Sequence, residues 1–138
     1  MSNHQSRAVR VVVPRPDRVR SLDRVAFGWL DARLRHEGWF GSMTPQALAV
    51  YAFLCVVADR NGVSFYRRER IARELGLDGA ETTASLARLR ELDLVAYTPF
   101  RRGAADGFHQ VMSLPEEGAP SPLAGFVPID RLVEAHRV

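Results

Sequence analysis

Ile71-Ala72-Arg73-Glu74-Leu75-Gly76, followed by Leu77-Asp78-Gly79-Ala80-Glu81, reads as the end of one helix, a tight reversal and the start of a second. The first helix spans Arg68 to Leu75, with Ile71, Ala72 and Leu75 as its buried stripe. Ala72 is small where two helices cross closely, and Gly76 lets the chain reverse. Asp78 with Glu81 is a variant of the capping box and opens the next helix, from about Gly79 to Glu91. Within it Thr82, Leu86 and Leu89 recur at helical spacing and form one inward stripe.

Upstream, Thr44 is an N-cap residue and Pro45 stands where the first helical position tolerates proline. Ala47, Leu48, Val50, Tyr51, Phe53, Leu54, Val56 and Val57 make the helix that follows apolar almost all round, as a central core helix is. It stops at the turn Asp59-Arg60-Asn61-Gly62, and Val63 to Tyr66 reads as a short strand. Downstream, Leu94 to Tyr97 reads as a strand and Thr98 to Gly107 as a loop holding Arg101 and Arg102. Phe108 to Leu114 reads as a returning strand, with Phe108, Gln110, Met112 and Leu114 alternating against His109, Val111 and Ser113.

The flanks are less regular. Residues 1–8 read as a disordered tail, and Val9 to Val13 as a strand stopped by Pro14 and Pro16. Val25 to Leu30 reads as a second short strand, and Asp31 to Glu37 as one or two helical turns ended by Gly38. Trp39, Phe40 and Met43 add apolar bulk beside the core helix. Pro115 to Pro122 reads as linker, and a terminal helix, Pro128 to His136, carries Ile129, Leu132, Val133 and Ala135. The expected fold is mainly α with a small antiparallel sheet. It divides into a basic N-terminal arm (1–24), a domain (25–114), a linker (115–127) and a C-terminal helix (128–138).

Composition narrows the chemistry. The chain has 138 residues, 46% hydrophobic and 25% charged, enough for one core and ordinary for a globular protein. All 19 basic residues are arginine, which excludes a Walker-type phosphate loop and lysine catalysis. A single cysteine, Cys55, excludes an internal disulfide and suits a reducing, cytoplasmic setting. Met1 to Arg10 lacks an apolar signal core, and the run Ala47 to Ala58 is too short to span a bilayer, so no membrane partner is expected.

Charge is unevenly placed. The net charge is +3, yet residues 1–24 hold six arginines against two aspartates, and residues 60–73 five arginines against one glutamate. Residues 74–97 are acidic, with five acids against two arginines. Basic charge in two blocks favours a local meeting with a polyanion; a solvated surface with chance clustering is the alternative.

The order strand, helix, turn, helix, hairpin behind a core helix is that of a winged helix-turn-helix, and Ile71 to Gly76 resembles the I-A-x-x-L-G of its positioning helix. Residues 25–97, about half the chain, resemble the winged-helix domain of phage and plasmid replication-initiation proteins and of small helix-turn-helix proteins carried by mobile elements. Ala26-Phe27-Gly28-Trp29-Leu30-Asp31 is similar to the strand and short helix that precede their core helix, and Met43 to Leu54 to the core helix itself. This chain departs from that pattern at Arg67, where a capping serine is common, and at Asp93, where glycine is usual before the wing strand. The resemblance implies a bacterial, nucleoid-associated protein that binds double-stranded DNA without catalysis, as a transcription regulator or a replication or transposition accessory factor. The alternative is a structural subunit docking the winged helix into a larger nucleoprotein complex.

In such a fold, counting the core helix as the first, the third helix (here Gly79 to Glu91) enters the major groove, while the wing follows the backbone. Its outward positions are Glu81, Thr83, Ala84, Ala87, Arg88 and Arg90. Arg88 can read guanine or hold a phosphate, and Thr83 can contact either. With no Asn or Gln there, and with Glu81, Glu91 and Asp93 nearby, weak sequence reading is expected. Arg67, Arg68 and Arg70 on the positioning helix that ends at Leu75, Arg101 and Arg102 on the wing, and Arg15, Arg18 and Arg20 on the arm complete the candidate DNA contacts. Bland readings compete: Arg70 and Arg73 can pair with Glu74 or Glu69, the wing pair can simply be solvated, and the arm can be a solubility tail or bind a partner.

No catalytic, cofactor or metal site is expected. His4, His36, His109 and His136 match no metal spacing, and His109 reads as structural or phosphate-facing. Cys55 reads as a small buried residue, and Trp29, Trp39, Phe40 and Tyr51 as core rather than a stacking platform. The terminal helix can pair with its copy in a homodimer or pack on its own domain.

Overall fold

Thr44 caps the core helix as its side chain suggests: Oγ1 accepts the amide N–H of Ala47 at 3.0 Å. The computed structural model describes residues 10–22 and 26–120. Their elements are α1 (Arg33–His36), α2 (Pro45–Val57), β1 (Val63–Ser64), α3 (Arg68–Leu75), α4 (Gly79–Glu91), β2 (Val95–Pro99) and β3 (Gly107–Val111). Short 3-10 turns occupy Pro16–Arg18 and Trp39–Ser42.

The fold is helix-rich with one small antiparallel sheet of order β1-β3-β2. Helix α2 packs against α3, α4 and β3. Its buried residues Ala47, Val50, Tyr51 and Leu54 meet Ile71 of α3, Leu86 and Leu89 of α4, and Leu94 and Val95 in one cluster. Leu34, Trp39 and Met43 close that cluster from the N-terminal side, and Leu114 joins it after β3. The burial of α2 is one-sided despite its apolar circumference: Cys55 is only half-buried and Val56 is exposed, because among the described residues no helix or strand covers that face and only the backbone at Gly28 lies against it.

The α3–α4 unit rests on local chemistry. Gly76 takes φ +71°, in the left-handed region that glycine enters without steric cost, and the Leu77 amide bonds back to the Ala72 carbonyl. The capping box is complete: Asp78 Oδ1 accepts the Glu81 amide at 2.7 Å, and Glu81 Oε1 accepts the Asp78 amide at 3.0 Å. Thr82, a polar member of the inward stripe, donates its hydroxyl to the Asp78 carbonyl, which lets it be fully buried. At the far end Asp93 adopts φ +63° in place of the usual glycine.

Several expected strands are absent or shifted. Val11, Val12 and Val13 are exposed and form no strand, because no sheet edge among the described residues pairs with them. Residues 26–30 also form no strand. Phe27 and Trp29 lie out on the surface, because Gly28 presses its backbone onto Cys55 and Val56 of α2 and turns its neighbours outward. β1 has two residues rather than four, because Tyr66 leaves the sheet to set its ring edge-on against Phe53. β2 and β3 are displaced from the expected ranges: the hairpin register pairs Val95 with Val111 and Pro99 with Gly107. Phe40 is another surface ring, whereas Trp39 and Tyr51 are buried as expected.

The segment after β3 folds back. Ala119 packs on the core and Ser42 Oγ donates to the Pro120 carbonyl at 3.4 Å. The expected tail at 1–8, the remainder of the linker and the terminal helix at 128–136 lie outside the described residues. Among the described residues no helix is long and apolar enough to cross a membrane, and no cluster of His, Cys, Asp and Glu could hold a metal ion.

Candidate nucleic-acid interface

Arg67, the departure from the capping pattern, leaves α3 without a local side-chain cap. The acceptor comes from 38 residues away. Asp106, on the loop between β2 and β3, takes the Arg68 amide N–H on Oδ1 at 3.0 Å and the Arg68 Nε–H at 3.2 Å. Arg68 Nη1 then donates to Thr83 Oγ1 at 3.3 Å. One arginine thus joins the first turn of α3, the outer face of α4 and the arginine-bearing loop. The Arg68 amide, ahead of the Arg68 guanidinium, holds the Asp106 carboxyl below its ordinary value.

Replacing Asp106 with Ala is expected to lower stability by about 1–2 kcal/mol, the range for loss of a helix cap. Asp106→Asn keeps an acceptor and is expected to retain most of it. Thermal melts of the three proteins decide the matter, and identical midpoints for alanine and the original residue would remove Asp106 from this role.

The loop itself is ordered by its neighbours. Tyr97 donates its hydroxyl to the Ala105 carbonyl at 3.0 Å, and Phe100 and Phe108 stack edge to face at 5.1 Å. Gly107 lies so close to the Thr98 carbonyl that a Cβ there would collide with it. Arg101 and Arg102 are exposed at the tip. Arg90 lays its guanidinium 4.8 Å from the Tyr97 ring centroid, a cation–π contact that keeps the charge at the surface. Among the described residues, the ion pairs do not include Arg67, Arg90, Arg101 or Arg102.

His109 lies beneath this face, buried on β3 opposite Ser64 of β1. Its Nδ1 and the Ser64 hydroxyl both lack a partner among the described residues. Burial pushes its pKa below the ordinary 6.5, and Arg90 and Arg68 push the same way while Asp106 opposes. The unfolded chain therefore binds a proton near pH 6.5 that the folded chain refuses until lower pH. Stability is expected to fall as pH drops from about 7 to about 5, and His109→Leu is expected to flatten that fall. Asp31, Asp59 and Asp106 have lowered pKa values, so their contribution is lost only below the ordinary 3.8, outside this window. An equal acid response in urea titrations of both proteins would exclude His109 as the cause.

The other candidate residues are arranged differently. Arg70 pairs with Glu74 at 2.5 Å and lies over the Tyr66 ring, on the outer face of α3. Arg88 is half-buried: its Nε donates to the Ser42 carbonyl at 3.0 Å and its Nη1 to Glu91 at 3.1 Å. Arg15 pairs with Asp17 on an exposed turn, and Arg18 and Arg20 are exposed on the same arm. The structure therefore brings together Arg67, Arg68, Thr83 and the loop of Arg101 and Arg102, and leaves Arg70, Arg88 and the arm residues in other settings. Sequence reasoning finds neither Asp106 nor the position of Arg90 over Tyr97. The available signal for Asp106 is the arginine at the N-cap position, which leaves α3 in need of a distant acceptor. Comparison with protein-family models, with curated proteins and with solved structures finds no match for this chain.

Proposed function

We propose that this chain is a winged helix-turn-helix that binds double-stranded DNA without catalysis, as a regulator or a replication or transposition accessory factor. Helix α4 would enter the major groove and the β2–β3 loop would serve as the wing. The observation that carries this reading is the junction at Arg68, which fixes α3, α4 and the loop to one another beside exposed arginines. Preformed placement of cationic groups suits a rigid polyanion, because little ordering remains to be done on binding. The α4 surface is short of base readers, since Arg88 is tied to Ser42 and Glu91. Binding is therefore mostly electrostatic, with weak sequence preference. A nucleoid-associated, bacterial setting follows from this reading.

The test is a fluorescence anisotropy titration of a labelled random duplex at several salt concentrations. Affinity should fall linearly on a log–log plot against salt, with a slope of about −0.9 per phosphate contact. Absence of binding to any duplex at low salt would overturn the reading. One observation favours the second reading, a docking subunit of a larger complex. Phe65 stands exposed beside Tyr66, Arg67, Arg70 and Arg73 in a groove of about 440 Å³ on the outer face of α3. Phe65→Ala should leave duplex affinity unchanged if that groove serves a protein instead.

A further inference from the structure

Helix α2 carries no charged side chain between Gln46 and Asp59. A helix apolar all round is ordinarily covered all round, yet the core cluster takes only the side of Ala47, Val50, Tyr51 and Leu54. At about 3.6 residues per turn, Leu48, Ala49, Ala52, Cys55 and Val56 fall together on another side. All five are half-buried or exposed. The Gly28 backbone touches only the last turn of this stripe, at the Cys55 carbonyl and the Val56 Cα, and the Phe27 and Trp29 rings flanking it are exposed. The described part of the arm does not supply a cover, since Val11, Val12, Val13, Val19 and Leu22 keep most of their own surface in solvent.

The path of the chain points to the occupant. Ala119 packs on the core, and the Pro120 carbonyl accepts from Ser42, just ahead of the Thr44 cap of α2. Residues 121–138 therefore set out from the N-terminal end of the uncovered helix. The 13 residues of α2 span about 20 Å, and residues 121–127 can reach about 23 Å, so residues 128–136 have the whole stripe within range. Ile129, Leu132 and Val133 recur at helical spacing, while Arg131 and Glu134 fall on the opposite side. A segment so tethered meets the stripe at an effective concentration in the millimolar range, without the entropy cost of recruiting a separate molecule.

We propose that residues 128–136 dock as a helix along α2 of the same chain, with Ile129, Leu132 and Val133 against the stripe of Leu48, Ala52 and Val56. This contact completes the burial of the core helix and stands apart from any binding of DNA.

Cys55, the single cysteine, lies on the stripe and reports on its cover. The first readout is alkylation of the full chain by iodoacetamide, followed by intact mass. Burial raises the Cys55 thiol pKa, so labelling is run at mildly alkaline pH. Leu132→Asp with Val133→Asp should speed alkylation about tenfold or more, because two apolar anchors are lost. Arg131→Asp with Glu134→Arg, on the opposite side, should leave the rate unchanged. The second readout places a new cysteine at one position at a time and oxidises the chain with diamide. Leu132→Cys should close a disulfide with Cys55 inside the monomer several-fold faster than Glu134→Cys. A tethered but undocked segment would also cross-link, so the contrast between positions decides the matter. This comparison holds even if the double aspartate variant fails to fold. Equal closure from positions 132 and 134, or equal alkylation of the original chain and a folded aspartate variant, would overturn the proposal. Covalent dimers in place of closed monomers, or protection of Cys55 that fades on dilution, would overturn it in favour of a second copy on this face.

Discussion

Leu89→Ala is expected to destabilise the folded chain by about 2–5 kcal/mol, enough to lower its melting midpoint by roughly 10 °C or more. Leu89 has no exposed surface and belongs to the cluster that joins α4 to α2. Truncation removes the transfer free energy of its side chain and leaves a cavity that rigid helices on both sides fill poorly. The matched control is Val56→Ala on α2, where the side chain is 64% exposed and the cost should stay within about 0.5 kcal/mol. Urea denaturation of both variants, with unchanged m-values, checks the pair. Similar costs for the two would mean that α2 and α4 do not pack through these faces.

If the chain binds duplex DNA as proposed, Arg101 and Arg102 replaced together by alanine should weaken that binding about 30-fold at physiological salt. That figure follows from the salt slope: about 0.9 per phosphate gives roughly fivefold per contact between about 1 M and about 0.15 M salt, and two contacts multiply. The slope itself should flatten by about 1.8. Arg88→Ala should have a smaller effect on affinity and a larger one on stability, because its guanidinium is tied to the Ser42 carbonyl and Glu91. Anisotropy titrations of both variants on one random duplex, alongside thermal melts, separate these outcomes. A larger affinity loss from Arg88→Ala would place the main contact on α4. Unchanged salt slopes in the double variant would show that the loop does not touch phosphate.

Helices are legible where their signals are local. Thr44 and Pro45 mark the start of α2, Gly76 the end of α3, and Asp78 with Glu81 the start of α4, each within a turn of the boundary. Strands are not, because a strand exists only where a partner edge does. Val11 to Val13 have the residues for a strand and no neighbour among the described elements, while β3 stops at Val111 although the alternation continues to Leu114. Apolar character does not reveal orientation either: Trp39 and Phe40 are adjacent, and one is buried while the other is exposed. In the candidate site, the arginines can be found from charge alone. Their grouping cannot, since it depends on Asp106 reaching across 38 residues to Arg68.

That reach also sets an order of events during synthesis. When Arg68 to Leu75 leaves the ribosome, the helix lacks the carboxylate that accepts the Arg68 amide in the folded chain. The acceptor emerges after all of α4 and β2 have been made. The two-helix unit therefore gains the contact that fixes its first turn only when the β2–β3 loop is in place, so a nascent chain halted before residue 106 lacks the carboxylate that ties Arg68 to that loop.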